Sequence, residues 1–267
     1  MSQSDQPHQQ LGARPWFVAG ASGYTGQAVV RALRAAGAPV VAHIRPGSAQ
    51  AATLRPAFEA LGATVDQTPW APEALRARIA ALAPRGAFAL LGTTRARGAA
   101  EAKRGEAPST YASVDQDLSL MLLAACAAET SVPRPIFVYL SSMGADRPGG
   151  NAYLAARHRV EAELRVGALP YLIARPAFIT GPDRGEDRPA ERWGAAATDG
   201  LLDLARALGA KRFADRLHSI DAGGLARALV AFALEQSSAP EAPVDLSIPT
   251  GRVLDAEHLQ RAARGER

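Results

Sequence analysis

Val18-Ala19-Gly20-Ala21-Ser22-Gly23-Tyr24-Thr25-Gly26 is the stretch that decides the fold of this chain. An apolar run precedes its three glycines and an amphipathic run follows them, which predicts a strand, a tight turn and a helix N-terminus. Gly20 allows the turn, Gly23 lets the backbone approach a diphosphate, and Gly26 permits close packing of helix on strand. The predicted nucleotide contacts are Gly20, Ala21, Ser22, Gly23, Tyr24, Thr25 and Gly26. The alternative is a glycine-rich loop that holds no ligand.

The bulk composition fits one α/β domain. The chain has 267 residues, 48% of them hydrophobic, and no apolar run reaches the roughly 20 residues that cross a bilayer. Residues 1–13 are rich in Gln, Ser and Pro, which predicts a disordered lead without a signal peptide. We therefore expect a single domain over residues 14–267 in a cytoplasmic protein.

The charged and metal-ligating residues give little support to two other classes of function. The isoelectric point is near 9.6, but the net charge is only +4 and no dense Lys/Arg block occurs, so nucleic-acid binding has only the isoelectric point behind it. The five histidines are scattered, and Cys126, the single cysteine, lies in an apolar run that predicts a buried side chain. We expect no metal site.

Short apolar runs alternate with longer amphipathic runs along the whole chain. The predicted strands are 16–19, 40–44, 63–65, 88–91, 136–140, 171–174 and 244–248, and the predicted helices are 27–36, 72–82, 111–129 and 152–166. This alternation predicts a Rossmann-like, doubly wound parallel sheet covered on both faces, with a small C-terminal extension on the substrate side. Residues 184–210 form either a cap over the ligand crevice or a plain surface excursion. Late in the chain, Asp221 is expected to cap a helix.

Two positions at predicted strand ends bear on the choice of nucleotide. Arg45 follows the second strand, where an acidic residue would bind a free ribose 2′-hydroxyl and an arginine would pair with a 2′-phosphate. Arg45 therefore favours NADP(H) over NAD(H), although it can also be an ordinary surface arginine. Asp66 follows the third strand and either reaches the adenine amino group or serves as a turn residue.

A second small-residue segment follows the fourth strand. Leu91-Gly92-Thr93-Thr94-Arg95 ends a strand in glycine and two hydroxyl residues, which lets the backbone approach a ribose and a diphosphate. We expect Gly92, Thr93 and Thr94 to contact the nucleotide.

The predicted chemistry lies at a serine pair and at a tyrosine on the following helix. Ser141 and Ser142 end the fifth strand, and Tyr153 and Arg157 share one helix face because positions i and i+4 are neighbours. In a carbonyl reduction a tyrosine donates the proton while a serine hydroxyl holds the carbonyl oxygen. A nearby cation makes a phenol a better acid.

These segments together resemble the atypical short-chain dehydrogenase/reductases, most closely the Tat-interacting oxidoreductase subfamily and more loosely the NmrA-like NADP-binding proteins. The matching stretches are GASGYTG (20–26), LGTTR (91–95), VDQD (114–117), LSSMGAD (140–146), YLAAR (153–157) and ARPAFITGPDR (174–184). The resemblance implies the catalytic serine role for Ser142 (or Ser141) and the tyrosine role for Tyr153. It also implies that Pro176, Ala177, Phe178 and Ile179 run past the nicotinamide, and that Asp115 stands where such enzymes often place a structural or relay polar residue.

One departure from the resembled pattern concerns catalysis. The pattern is Tyr-x-x-x-Lys, in which the lysine binds the nicotinamide ribose and activates the tyrosine, whereas this chain has Arg157. Arginine keeps the charge but is planar and bulkier, so the exchange is not conservative at such a site. We therefore expect either an NADP(H)-dependent oxidoreductase acting on a small carbonyl or alcohol, with Arg157 also holding the ribose, or a non-catalytic NADPH-binding redox sensor. The helix over 111–129 either packs on the sheet or serves a dimer, so the chain is a monomer or a homodimer.

Overall fold

The computed structural model describes residues 14–93, 95–180, 219–238 and 251–266. Four predictions fall outside these ranges: the disordered lead over 1–13, the nucleotide contact of Thr94, the cap over 184–210 and the strand over 244–248. Within the described ranges, no helix is long and apolar enough to span a bilayer.

Strands and helices alternate along the described chain. The strands are β1 (Trp16–Ala19), β2 (Val40–His43), β3 (Thr64–Asp66), β4 (Gly86–Ala89), β5 (Ile136–Leu140), β6 (Tyr171–Arg175), β7 (Phe178–Thr180), β8 (Ser219–Asp221) and β9 (Gly251–Asp255). The helices are α1 (Tyr24–Ala35), α2 (Ala51–Ala60), α3 (Pro72–Leu82), α4 (Arg95–Lys103), α5 (Asp117–Ala128), α6 (Ala152–Val166), α7 (Ala222–Ser238) and α8 (Ala256–Ala263). A π-helical turn (Tyr111–Gln116) leads directly into α5.

Seven parallel strands form the central sheet in the order β3-β2-β1-β4-β5-β6-β9, and β7 and β8 form a separate parallel pair. The predicted Rossmann-like parallel sheet is therefore confirmed. Chain order reverses between β1 and β4, so the connections that follow these two strands lead to opposite faces of the sheet and leave a crevice between them. Ligands of open α/β sheets bind in the crevice at such a point.

Buried residues cover both faces of the sheet, which explains why the strands are continuously apolar. In β1, Val18 faces the layer of α1 and α7, whereas Phe17 faces the layer of α3 and α5. Every residue of β1, β2, β4 and β5 is buried. This burial on two sides is what distinguishes a parallel central strand from one with a solvent face.

Several element boundaries differ from the prediction for identifiable reasons. The segment over 111–129 divides into a π-helical turn and α5, and its start is fixed because Thr110 and Ser113 cap each other. β4 begins at Gly86, where a Cβ would lie 2.4 Å from the Trp16 ring, so only glycine fits beside that side chain. The predicted cap of the late helix is confirmed, because Asp221 Oδ1 accepts the Gly224 N–H at 2.9 Å.

Candidate functional site

The turn between β1 and α1 has the geometry that its glycines predict. Gly20 has φ +81°, and a Cβ there would lie 2.7 Å from the Leu90 carbonyl oxygen. A Cβ on Gly26 would lie 2.0 Å from the Gly20 carbonyl oxygen, so the first turn of α1 packs directly on the loop backbone. The turn is closed by a hydrogen bond from the Gly23 N–H to the Gly20 carbonyl (3.0 Å). Two glycines are thus sterically required here.

The N-terminus of α1 is open to an anion. Gly23 is its N-cap, no side chain caps it, and no acidic residue lies in its first turn. The first amides of a helix have no partner within the helix, and the helix dipole makes this end electropositive. A diphosphate fits this end, since it would supply the acceptors that the chain itself does not provide.

The loop after β4 lies beside the glycine turn and is fixed by a buried carboxylate. The Leu90 N–H donates to the Ala19 carbonyl (3.1 Å), and the Thr93 N–H donates to Asp115 Oδ2 (2.9 Å). Gly92 is exposed, and a Cβ there would lie 3.3 Å from Arg157 Nη2. The structure therefore brings the predicted nucleotide contacts at 92–93 next to those at 20–26.

Arg157 is buried, with 5% of its surface exposed, and its guanidinium is bound to the chain itself. Nη1 donates to the Leu140 carbonyl (2.6 Å), and Nη2 donates to the Leu91 carbonyl (3.2 Å) and to Asp115 Oδ1 (2.7 Å). These bonds connect α6 to the ends of β4 and β5. The ribose contact predicted for Arg157 stays a prediction, and it would have to compete with these acceptors.

The charges of this buried pair depend on one another. Burial raises the pKa of Asp115, while the Arg157 guanidinium and the Thr93 N–H oppose that rise. Burial alone would lower the pKa of Arg157, but attraction to Tyr139, Tyr153 and Asp115 outweighs burial and raises it. Arg157 therefore stays a cation beside a carboxylate, and the pair carries no net charge.

The two serines after β5 have different environments. Ser141 is buried, and its hydroxyl donates to Glu161 Oε1 at 2.6 Å. Ser142 is half-buried, and the hydrogen bond that its hydroxyl donates to the Met143 carbonyl is long (3.4 Å). Of the two alternatives for the catalytic serine, the one whose hydroxyl a substrate can reach is Ser142.

Glu161 holds the end of β5 in place through Ser141. It is fully buried on α6 and pairs with Arg175 Nε (2.9 Å) and Arg165 Nη2 (2.7 Å) in addition to Ser141. Burial acts to raise the pKa of Glu161, but hydrogen bonds from Arg175 and Ser141 outweigh burial and hold the pKa below its usual value. The carboxylate is therefore ionised, and it ties α6 to the ends of β5 and β6.

Tyr153 is half-buried on the first turn of α6, which begins where Asn151 Oδ1 caps the Leu154 N–H (3.0 Å). Its ring packs edge-on against Tyr111, with 5.3 Å between centroids, and the Arg157 Cζ lies 5.2 Å from the ring centroid. The expectation that Tyr153 and Arg157 share one helix face is confirmed. Tyr139, by contrast, is sealed, and burial raises its pKa to about 12.

The segment after β6 connects the turn that carries Ser142 to the glycine turn at 20–26. The Met143 N–H donates to the Pro176 carbonyl (3.0 Å), and the Tyr24 hydroxyl donates to the Thr180 carbonyl (3.3 Å). Residues 176–180 therefore run from the serine turn to the N-terminus of α1. A dinucleotide that extends from the glycine turn towards Ser142 would pass along Pro176, Ala177, Phe178 and Ile179.

The predicted adenosine contacts lie at the far end of the crevice. Arg45 is exposed just past β2, as a contact to a ribose phosphate requires. Asp66 ends β3, and its carboxylate already accepts the Thr68 N–H (2.9 Å) and pairs with Arg78. Burial acts to raise the pKa of Asp66, but these partners outweigh it and lower the pKa. The adenine contact of Asp66 stays a prediction.

Sequence reasoning named Asp115 only through a resemblance and did not name Glu161. A buried carboxylate at a helix position carries no local signal, because the same residue types occur on solvent-exposed faces. The only available hint was an excess of arginines, since a buried arginine requires an acidic partner. Within the described ranges, no group of three or more His, Cys, Asp or Glu side chains is arranged to hold a metal ion.

Comparison with solved structures supports the fold. The chain is similar to a suspected epimerase from Burkholderia cenocepacia J2315, at 22% identity with a TM-score of 0.60, over 95% of this chain and 82% of that one. It is also similar to UDP-N-acetylglucosamine 4-epimerase from Bacillus cereus, at 16% identity with a TM-score of 0.52, over 86% of this chain and 76% of that one. At these identities the similarity concerns the fold alone. No curated protein sequence matches the chain.

The family comparison agrees with the geometry of the glycine turn. The model of a family described as NAD(P)H-binding matches residues 20–200, which is more than half of the chain and begins at Gly20. The open N-terminus of α1, the glycines that the turn requires and the adjoining loop at 92–93 all lie within this match. The chain therefore belongs to the NAD(P)H-binding family, with a nicotinamide dinucleotide as its cofactor.

Proposed function

We propose that the protein is an NADP(H)-dependent oxidoreductase of the atypical short-chain dehydrogenase/reductase type, acting on a small-molecule carbonyl or alcohol. One observation carries the proposal: half-buried Ser142 lies beside the segment 176–180 that ends at Tyr24 of the glycine turn, and the half-buried Tyr153 ring lies 5.2 Å from a guanidinium that binds the Leu140 carbonyl, next to the serines. As part of this proposal, the protein is closest to the Tat-interacting oxidoreductase subfamily and more loosely related to the NmrA-like proteins.

The division of labour follows from the chemistry of each side chain. The bound NADPH supplies a hydride. Ser142 Oγ donates a hydrogen bond to the substrate carbonyl oxygen, which polarises the bond, and the Tyr153 hydroxyl delivers the proton to the same oxygen. The edge-on packing of Tyr111 against Tyr153 limits the positions that the Tyr153 ring can take, which helps to place its hydroxyl.

Arg157 has a different part from the lysine of the resembled pattern. Its guanidinium places a positive charge 5.2 Å from the centre of the Tyr153 ring, but its hydrogen bonds go to Asp115 and to two carbonyls. A charge that is balanced by a carboxylate 2.7 Å away stabilises a phenolate less than an unbalanced one does. We therefore propose that catalysis is slower than a Tyr-x-x-x-Lys site would permit.

The pairing of the Arg157 guanidinium with Asp115 also favours a second candidate, a non-catalytic NADPH-binding redox sensor. The buried Arg157 guanidinium donates hydrogen bonds to Asp115 and to two carbonyls of the chain, so we propose that nucleotide binding at the glycine turn does not need it. NADPH binding can therefore occur without proton transfer from Tyr153. A protein that keeps only the nucleotide site would bind NADPH without turnover.

Consumption of NADPH against a panel of aldehydes, ketones and quinones distinguishes the two candidates. For an oxidoreductase, Tyr153→Phe lowers the rate about 100-fold or more because the proton donor is lost, while calorimetry shows unchanged NADPH binding. Tyr111→Phe is the matched control and keeps most of the rate, since its ring is retained. Equal rates for wild type and Tyr153→Phe would contradict the assigned role. Tight NADPH binding with no turnover on any substrate would favour the sensor.

A further inference from the structure

Two apolar side chains are exposed on the two hydrogen-bonded segments that adjoin Ser142. Met143 follows it directly and is 39% exposed, and Phe178 on β7 is 56% exposed. The Met143 N–H donates to the Pro176 carbonyl, so the segments that carry these two side chains are hydrogen-bonded to each other. Ile179, the neighbour of Phe178, packs against the core, so Phe178 lies on the opposite face of β7. Small-molecule sites combine apolar lining with a few polar groups, which is the combination that these two side chains and Ser142 offer.

The charges around these side chains are already paired. Every arginine that the structure describes on α6 and at the end of β6 has a carboxylate partner: Arg157 with Asp115, Arg159 with Glu163, and Arg165 and Arg175 with Glu161. Outside them, the exposed Arg147 lies 3.6 Å from Asp146. A substrate carboxylate or phosphate beside Ser142 would therefore meet no unpaired guanidinium among these residues, so they would not compensate its loss of hydration.

We propose that the substrate is an uncharged carbonyl compound whose apolar part, an aromatic ring or a branched or medium-length alkyl chain, packs against Phe178 and Met143 while its oxygen lies at Ser142 and Tyr153. The inference rests on the proposed function and specifies its substrate class. In the reduction, the carbonyl carbon accepts a hydride from NADPH, the oxygen takes the phenolic proton of Tyr153, and water reprotonates the tyrosine. The products are an alcohol and NADP⁺.

Binding without turnover tests this proposal. With NADP⁺ bound there is no hydride to transfer, so ketones form dead-end complexes whose Kd calorimetry measures. Two matched pairs serve as probes, acetophenone against 4-acetylbenzoate and 2-octanone against 7-oxooctanoate, which differ by one carboxylate. We expect the uncharged member of at least one pair to bind about tenfold more tightly than its carboxylate. Phe178→Ala weakens that binding by about tenfold and Met143→Ala by about threefold, because apolar contact area is lost.

The control is Val166→Ala, which removes an apolar side chain that is 81% exposed at the far end of α6 and leaves ketone binding unchanged. Titration of NADP⁺ alone, in the same series, separates this proposal from the proposed function. If NADP⁺ fails to bind, both fail. If NADP⁺ binds but the carboxylates bind as tightly as the ketones, if neither ketone binds, or if Phe178→Ala has no effect, only the substrate class is overturned.

Discussion

At the scale of single residues, the chemistry of this site depends on which charged side chains are exposed and which are paired with an opposite charge. Arg45 is exposed at the end of β2, whereas Arg157 is enclosed by Asp115 and two backbone carbonyls. The same residue type can therefore act as a ligand contact in one place and as a structural brace in the other. The sequence alone does not distinguish these two roles, because Arg45 simply follows a predicted strand and Arg157 simply lies within a predicted helix.

The proposed preference for NADP(H) over NAD(H) depends on Arg45. Arg45→Asp is expected to weaken NADPH binding on the order of 10- to 100-fold, because a charge-assisted hydrogen bond to the 2′-phosphate is replaced by repulsion. NADH, which has a free 2′-hydroxyl, should bind with little change. Calorimetric titration of both dinucleotides measures the ratio. If the variant keeps the wild-type preference, Arg45 does not contact the 2′-phosphate.

The Asp115–Arg157 pair contributes to stability in a way that a double-mutant cycle can isolate. Asp115→Asn keeps an acceptor for the Thr93 N–H but leaves Arg157 unbalanced, and Arg157→Met leaves the Asp115 carboxylate unbalanced. Each single change is expected to lower the free energy of unfolding by about 3–5 kcal/mol, since each buries an uncompensated charge. The double variant should lose less than the sum of the two. Urea denaturation gives the three values, and additive losses would show that the two charges are not coupled.

At the scale of elements, the βα junction at 20–26 is the part that sequence predicted most completely. The steric demands on Gly20 and Gly26 follow from a pattern that is local in sequence, so no knowledge of distant residues is needed. α3, α6, β1 and β5 were predicted with the bounds that the structure has, for a related reason: each is a regular run closed by clear end signals.

Other elements lack such signals. α2 contains Pro56 and buries only Phe58, so it shows no apolar periodicity. α4 has no pronounced apolar face, and its residues resemble a polar loop. The short strand β7 is held by pairing with β8, a partner distant in sequence. The partners of Asp115 and Glu161 escape prediction for the same reason, because only the fold brings them near.

The glycine junction itself yields a paired test. Gly26→Ala places a Cβ 2.0 Å from the Gly20 carbonyl oxygen and should destabilise the protein by about 3 kcal/mol and abolish nucleotide binding. Gly23→Ala meets that oxygen at 3.2 Å with φ −74° and should stay within about 1 kcal/mol of wild-type stability. It should nevertheless weaken NADPH binding about tenfold, since its methyl group occupies the diphosphate approach. Thermal melts and calorimetry distinguish the two effects, and unimpaired NADPH binding by both variants would place the nucleotide elsewhere.

At the scale of the whole molecule, ionised carboxylates in buried networks make stability depend on pH. Glu161 has a folded-state pKa below its ordinary value of about 4.5. The stability that it contributes is therefore present above that value and is lost as the pH falls through the folded pKa. Asp66 acts in the same direction, whereas Asp115, whose pKa burial raises, acts in the opposite one.

Glu161→Gln tests this dependence. The variant should be about 3 kcal/mol less stable at pH 7, because Arg165 and Arg175 lose their shared carboxylate. The difference from wild type should shrink as the pH falls from about 5 towards 3, since the wild-type carboxylate then takes up a proton. Urea denaturation at several pH values supplies the comparison. A difference that stays constant with pH would mean that Glu161 is not ionised in the folded protein.

The single carboxylate of Asp115 accepts both the Thr93 amide of the loop after β4 and the guanidinium that α6 projects inward. Because one carboxylate binds both elements, we expect local opening of that loop to be coupled to local opening of the first turns of α6. A dinucleotide seated on the loop would suppress this fluctuation, and amide protons on the neighbouring helix would exchange with deuterium more slowly even where no ligand atom touches them.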